Sequence, residues 1–321
     1  MKHRNGILLW AGWLTVTCIM TGLDLMCGGE CDAAIMRMLR IPRAFTAALA
    51  GAALALSGAQ MQSIFRNPLA DPHIMGVSSG ASLGAAAAIM FSGRFMMEGT
   101  AVAQTLGGLS IAGAASAGAA ISSAAILAVS GRLRHSGTLL IFGVMLGFIV
   151  SATVSILQFT TDAESLKIFY GWAAGTFSST SWPQISVMAA ALIAGTAIAY
   201  TNSKGLDIIL FGDEFAEMAG ASPKVIRIKA LLSCCLMTGA VTAFCGPLGF
   251  IGIISPHIVK FLSGSSSHRK MIPSCLMCGA SISLAADMLA RIFPTPLPVA
   301  STMAIVGIPV ILYILIRRPL I

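Results

Sequence analysis

Ten apolar runs, each near the length of a bilayer crossing, decide which solvent this chain folds in. They fall at about 7–26, 43–64, 74–92, 101–130, 138–159, 184–201, 226–245, 248–262, 271–291 and 298–316. A helix needs about 20 predominantly apolar residues to cross the hydrocarbon core. Hydrophobic residues make up 56% of the chain and charged ones only 10%, where a soluble domain carries about 25% charged residues. No composition shift or long polar linker divides the runs. The expected fold is all-α and integral to a membrane, with about ten transmembrane helices in a single domain over 1–321. Lys2, His3 and Arg4 precede the first run. That run is longer than a signal-peptide core and lacks a small-x-small cleavage site, so it reads as an uncleaved first helix.

The net charge of +8 does not mark a nucleic-acid surface: no basic stripe is interleaved with the 7% of aromatic residues. The basic residues sit in short connections, where they act as topology signals. Ten spans put both termini on one side. If that side is cytoplasmic, fourteen of the twenty Lys and Arg fall in inside connections and six in outside ones. Both termini are therefore expected in the cytoplasm.

The spans are rich in small residues, and Gly107–Ser123 is nearly all Gly, Ala and Ser. Helices in lipid gain little from hydrophobic attraction to one another, so close backbone approach supplies the packing. The stretch Arg40–Gly84 shows the design most fully. Arg40 and Arg43 flank Pro42, a small-residue run follows from Ala47 to Ala59, and Arg66-Asn67-Pro68-Leu69-Ala70-Asp71-Pro72 breaks the helix before a second small-residue run. This predicts two close-packed helices joined by a tight polar elbow, with a cationic rim at the far end. Cys275 and Cys278 have C-x-x-C spacing but lie inside an apolar run without a second ligand pair, so they read as packing residues and no metal site is expected. Cys27 and Cys31 fall in an outer connection, where an oxidising compartment would permit a disulfide.

Three outer segments stand out. Cys27–Leu39 is a candidate surface helix. Thr161–Pro183 carries Tyr170, Trp172 and Trp182, as interfacial segments do. Arg291–Pro298 is stiffened by prolines. The longest inside connection, Asn202–Lys229, holds Asp207, Asp213, Glu214 and Glu217, four of the chain's twelve acidic residues. Leu206, Ile209, Leu210, Phe215, Ala216 and Met218 give it an apolar side, Gly212 divides it, and Gly220-Ala221-Ser222-Pro223 ends it. Two short amphipathic helices meeting at an angle would present a knob to a partner over about 203–224.

Catalytic constellations are missing from the sequence. Asp24, Asp287 and His257 are the ionisable residues nearest the span interiors, and each stands singly near a predicted boundary. His257, after Pro256, reads as a hydrogen-bonded packing histidine. No His-Glu-x-x-His, Gly-x-Ser-x-Gly or phosphate-loop motif occurs, so no catalytic, cofactor or metal residue is expected. Uncharged mid-membrane runs argue against proton or sodium coupling through carboxylates. If transport is driven by ATP, another polypeptide hydrolyses it.

Arg40-Ile41-Pro42-Arg43, Gly51-Ala52-Ala53-Leu54-Ala55, the elbow Arg66–Pro72, Gly246–Gly252 with Pro256-His257-Ile258-Val259, and Ala286-Asp287 together carry a resemblance over about Leu39–Arg318. The chain resembles the permease subunits of type II ABC importers, the iron-siderophore, haem and vitamin B12 (FecCD-type) uptake family. The resemblance implies a homodimer in the cytoplasmic (inner) membrane of a bacterium, with the pathway on its two-fold axis. It implies a separate ATP-binding subunit inside and an extracytoplasmic substrate-binding protein outside. Acidic knobs of that protein would dock on Arg40, Arg43 and Arg291; the alternative for these three is a role as interfacial anchors. The cytoplasmic gate would match Asn67, Leu69, Ser136 and Gly137. The coupling segment would use Leu206, Gly212, Asp213, Glu214, Ala216 and Gly220. One departure is that Pro296 precedes Leu297-Pro298, and Ala300 stands where relatives carry a glycine.

The reading is a permease that moves an iron complex inward by alternating access, not an enzyme. Eighteen methionines suit a soft pathway lining. A cobalamin or oxyanion importer of the same family, an ion-coupled secondary transporter and an intramembrane enzyme are the alternatives.

Overall fold

The computed structural model describes residues 2–27, 33–92, 101–133, 136–264, 266–293, 295 and 297–317. Cys31 and Pro296, on which the disulfide and the proline departure depend, lie outside them. Every regular element among the described residues is helical. In chain order these are α1 (Lys2–Met26), α2 (Ala33–Ile35), a π-helical turn (Met36–Arg40), α3 (Ile41–Ile64), a 3-10 turn (Pro72–Met75), α4 (Val77–Ser92), α5 (Ala101–Ser130) and α6 (Ser136–Phe159). There follow α7 (Ala163–Ala173), α8 (Trp182–Thr201), α9 (Ser203–Ile209), α10 (Asp213–Met218), α11 (Pro223–Cys245), α12 (Ile251–Ser263), α13 (His268–Ala290) and α14 (Val299–Arg317). Local chemistry sets several starts: Pro42, Pro183 and Pro223 occupy the first turns of α3, α8 and α11, where a missing N–H costs nothing. Asp162 caps α7 by accepting the Ser165 N–H at 2.8 Å, and this bond holds its carboxyl below the ordinary value.

Six helical stretches are long and apolar enough to cross a bilayer among the described residues: Met36–Ile64, Ile111–Ser130, Ser136–Phe159, Trp182–Thr201, Pro223–Cys245 and His268–Ala290. Val77–Met90, Ile251–Ser263 and Val299–Tyr313 are shorter apolar helices. Of the segment Cys27–Leu39, expected as a surface helix, α2 and the π-helical turn run without a break into α3. The segment Thr161–Pro183 folds its first half into α7.

The bundle is built around α3, whose side chains are buried on nearly every side. It packs against α13, α11, α12 and α8, while α4 lies against α5 and α6, and α1 against α13. The seams use the small residues. A Cβ on Gly51 would strike the Gly279 carbonyl of α13, and one on Gly279 would strike Gly51 in return. Bulkier residues at either position would separate α3 from α13. Cys275 and Cys278 are fully buried in the same core as Leu54, Leu56 and Met237, which makes them packing residues. By contrast, Ile141, Phe148, Ile149 and Ile156 of α6 and Ile193 of α8 turn outward, as on helices that face lipid or another apolar surface.

Candidate functional site

The predicted site residues gather at opposite ends of α3. At its C-terminal end the elbow is a set of local hydrogen bonds. Arg66 adopts a left-handed conformation (φ 49°), and the Asn67 N–H returns to the Gln62 carbonyl at 3.2 Å. Asn67 Oδ1 accepts the Leu69 N–H at 2.9 Å, a turn in which the side chain mimics backbone. Asp71 then accepts the His73 N–H at 2.8 Å and starts the 3-10 turn. That turn packs on α6, with Gly76 in the left-handed region (φ 80°) beside Gly143. Asn67 is half-buried and Leu69 exposed, whereas of the α6 pair Ser136 is buried and Gly137 exposed.

Beside the elbow stands the knob. α9 and α10 are two short helices separated at Gly212 (φ 115°), as expected. A Cβ on Gly212 would come within 3.3 Å of Arg66 Nη1, so the knob and the elbow are neighbours. Leu206, Ile209 and Ala216 are fully buried and anchor the knob to the body. Asp213 is tied to Arg227 of α11 at 2.6 Å, and the Asn202 side chain donates to the Ile226 carbonyl at 2.9 Å. Outward the knob shows Phe211 (75% exposed), Phe215 and Met218 (80% exposed), with Glu214, Glu217 and Gly220 around them. Leu206 and Ala216 thus belong to the anchor and not to the presented face. Asp207 faces the start of α13, accepting from the His268 N–H at 2.8 Å and from His268 Nδ1 at 2.6 Å. Partial burial alone would raise its carboxyl, but these bonds and one from Ser267 outweigh that and hold it below the ordinary value.

At the other end of α3 the arginines are not freestanding, and the placement of Asp24 and Asp287 as solitary residues is corrected. Arg43 grips Asp287 with both prongs, Nε to Oδ2 at 2.9 Å and Nη2 to Oδ1 at 2.8 Å. Arg291 reaches Asp287 Oδ2 at 3.0 Å and pairs with Asp24. It also donates to the Cys27 carbonyl at 3.2 Å, and Arg40 Nη1 donates to the Leu25 carbonyl at 3.1 Å. Asp287 is fully buried and Asp24 nearly so. A buried carboxylate needs such partners. Together these groups clamp the ends of α1 and α13 to the start of α3. The sequence signal was the placement of two aspartates and three arginines at one end of charge-poor spans. His257 donates from Nδ1 to the Ile253 carbonyl at 2.6 Å within its own helix, as a packing histidine does. No group of three or more His, Cys, Asp or Glu able to hold a metal exists among the described residues.

The described residues thus form a small-residue helical bundle with an apolar, outward-facing knob beside a hydrogen-bonded elbow. Comparison with known proteins gives the class. The model of the FecCD transport family matches residues 7–317, and the chain belongs to that family, the permeases of type II ABC importers. It is 33% identical to the vitamin B12 import system permease protein BtuC of Klebsiella pneumoniae over 96% of this chain and 93% of that one. It is 30% identical to the hemin transport system permease protein HmuU of Yersinia pestis over 87% and 82% of the two chains. Among solved structures it resembles an inward-facing transporter assigned to the metal-chelate ABC type, with TM-score 0.85 and 25% identity over 98% and 99% of the two chains. The chain is a multi-pass membrane protein and a transport component.

Proposed function

We propose that this chain imports a large metal-bearing chelate, an iron complex such as a ferric siderophore or haem, as a homodimer driven by a separate ATP-binding subunit. One transmembrane domain spans 1–321, crosses the membrane about ten times and keeps both termini in the cytoplasm; the coupling segment is about 203–224. The observation that carries this reading is the knob. Phe211 in the junction and Phe215 and Met218 on α10 stand exposed, while the anchoring face of the same segment is buried. An exposed apolar cluster on a rigidly held element marks a partner site, and this one adjoins the elbow. Leu206, Gly212, Asp213, Ala216 and Gly220 shape it, and Glu214 lies on its rim. The elbow residues Asn67 and Leu69, with Ser136 and Gly137, form the cytoplasmic gate in this reading. Arg40, Arg43 and Arg291 gather at the start of α3 and the end of α13, and in this reading that cluster of guanidinium groups orients an acidic extracytoplasmic binding protein, mainly through steering and on-rate. Cobalamin is the second reading for the cargo, favoured by the likeness to a vitamin B12 permease.

Accumulation of labelled ferric siderophore, haem and cobalamin in cells lacking this chain, then complemented with it, tests the reading. Restored uptake of haem or the ferric siderophore supports it, restored cobalamin uptake moves the second reading forward, and no restored cargo contradicts both.

A further inference from the structure

The knob and the elbow are joined by a hydrogen-bonded path, buried at His268 and Ser63 and part-exposed at Asp207, as well as by proximity. Asp207 of α9 accepts three bonds from the start of α13: from the His268 N–H at 2.8 Å, from His268 Nδ1 at 2.6 Å and from Ser267 Oγ at 3.2 Å. The carboxylate thus caps α13, where the helix dipole favours negative charge. The imidazole continues inward. Nε2 of His268 lies 2.6 Å from Ser63 Oγ of α3, and Ser63 Oγ also reaches the Ala59 carbonyl at 2.9 Å. His268 and Ser63 are 2% and 1% exposed, so water does not replace these bonds. Ser63 in turn accepts the Arg66 N–H through its carbonyl at 3.3 Å, which is where the elbow begins. Asp207, His268 and Ser63 thus form one hydrogen-bonded path from α9 to the end of α3, beside the direct packing of α9 on α3.

We propose that His268 is a positioning residue for transport, a strut that carries movement of the knob to the end of α3 and the elbow. The proposal rests on the reading of α9–α10 as the segment moved by the ATP-binding partner. Intermediacy between two sites is not coupling in itself, so the test must separate coupling from fold.

The test uses the complete complex, with ATP-binding partner and binding protein, in vesicles. Labelled haem, cobalamin and a ferric siderophore run side by side, and the readouts are cargo moved per ATP hydrolysed and co-purification of the partner. In H268N the amide nitrogen stands about where Nδ1 stands, so the bond to Asp207 is kept and the reach to Ser63 is lost. S63A breaks the same link from the other side by removing one oxygen. Each variant is expected to keep the partner and its ATP hydrolysis while cargo per ATP falls about tenfold, within the range of coupling between linked sites. The H268N/S63A double variant is expected to be no worse than either single one, because both cut one link. Additive losses, or transport and hydrolysis falling together at a constant ratio, overturn the strut. If the unaltered complex moves no cargo with ATP, or keeps its partner when Phe215 and Met218 are changed to aspartate, the underlying reading fails and the strut with it.

Discussion

Arg43 and Asp287 meet in a forked ion pair, with donor–acceptor distances of 2.8 and 2.9 Å, although 244 positions separate them. Asp287 also holds Arg291, so one buried carboxylate secures the start of α3 to the end of α13. Removing it takes the forked acceptor from Arg43 and leaves Arg291 with Asp24 as its carboxylate partner. D287A is expected to lower stability by about 3–5 kcal/mol, as for other broken buried pairs. R43K keeps the charge but loses the fork and is expected to cost less. Thermal unfolding of the detergent-purified protein measures both.

The seam between α3 and α13 makes a second prediction. Gly51 and Gly279 touch backbone to backbone, so G51A forces the helices apart and is expected to cost about 1–3 kcal/mol by overpacking. Gly113 of α5 has open space where a Cβ would go, and G113A is expected to leave the unfolding temperature unchanged.

The knob's outward face predicts a separation of binding from folding. Phe215 and Met218 are exposed, so F215D and M218D leave the fold intact. Each is expected to weaken capture of the ATP-binding partner by about 2 kcal/mol, about thirtyfold, if these side chains are interface anchors. Pull-down of the partner together with an unfolding curve distinguishes lost docking from lost structure.

Asp207 gives a pH dependence with a defined sign. Its partial burial favours the neutral acid, but the bonds from His268 and Ser267 prevail and depress its value in the folded protein. A depressed value contributes stability that is full above the unfolded value, about 3.9, and is lost as pH falls through the folded one. Limited proteolysis of the α9–α10 segment is expected to stay slow from neutral pH to about pH 4 and to rise below it. In D207N that acid-dependent rise is expected to be absent.

Much of the helical framework was legible because it repeats locally. The run expected at 43–64 is α3, Ile41–Ile64, and the run at 226–245 is α11, Pro223–Cys245; proline marks both starts. The elbow and the break at Gly212 were legible for the same reason, as turn chemistry is written in adjacent residues. The clamp was not, because Asp24 and Arg291 are 267 positions apart and a pair across helices leaves no periodicity in the chain. Nor was the path from Asp207 through His268 to Ser63, whose members sit on three separate elements. The division of the knob into anchor and face also needed the fold: Leu206 and Phe215 are both apolar, and only packing decides that one is buried and the other presented.

The most direct measurement is cargo uptake into vesicles holding the purified protein with the proposed ATP-binding partner and binding protein. The labelled haem, ferric siderophore and cobalamin are each tried with ATP and with imposed proton or sodium gradients. The account predicts accumulation of one cargo that needs ATP and is lost when Phe215 and Met218 are both changed to aspartate. Accumulation that follows an ion gradient in vesicles lacking the ATP-binding partner would contradict it.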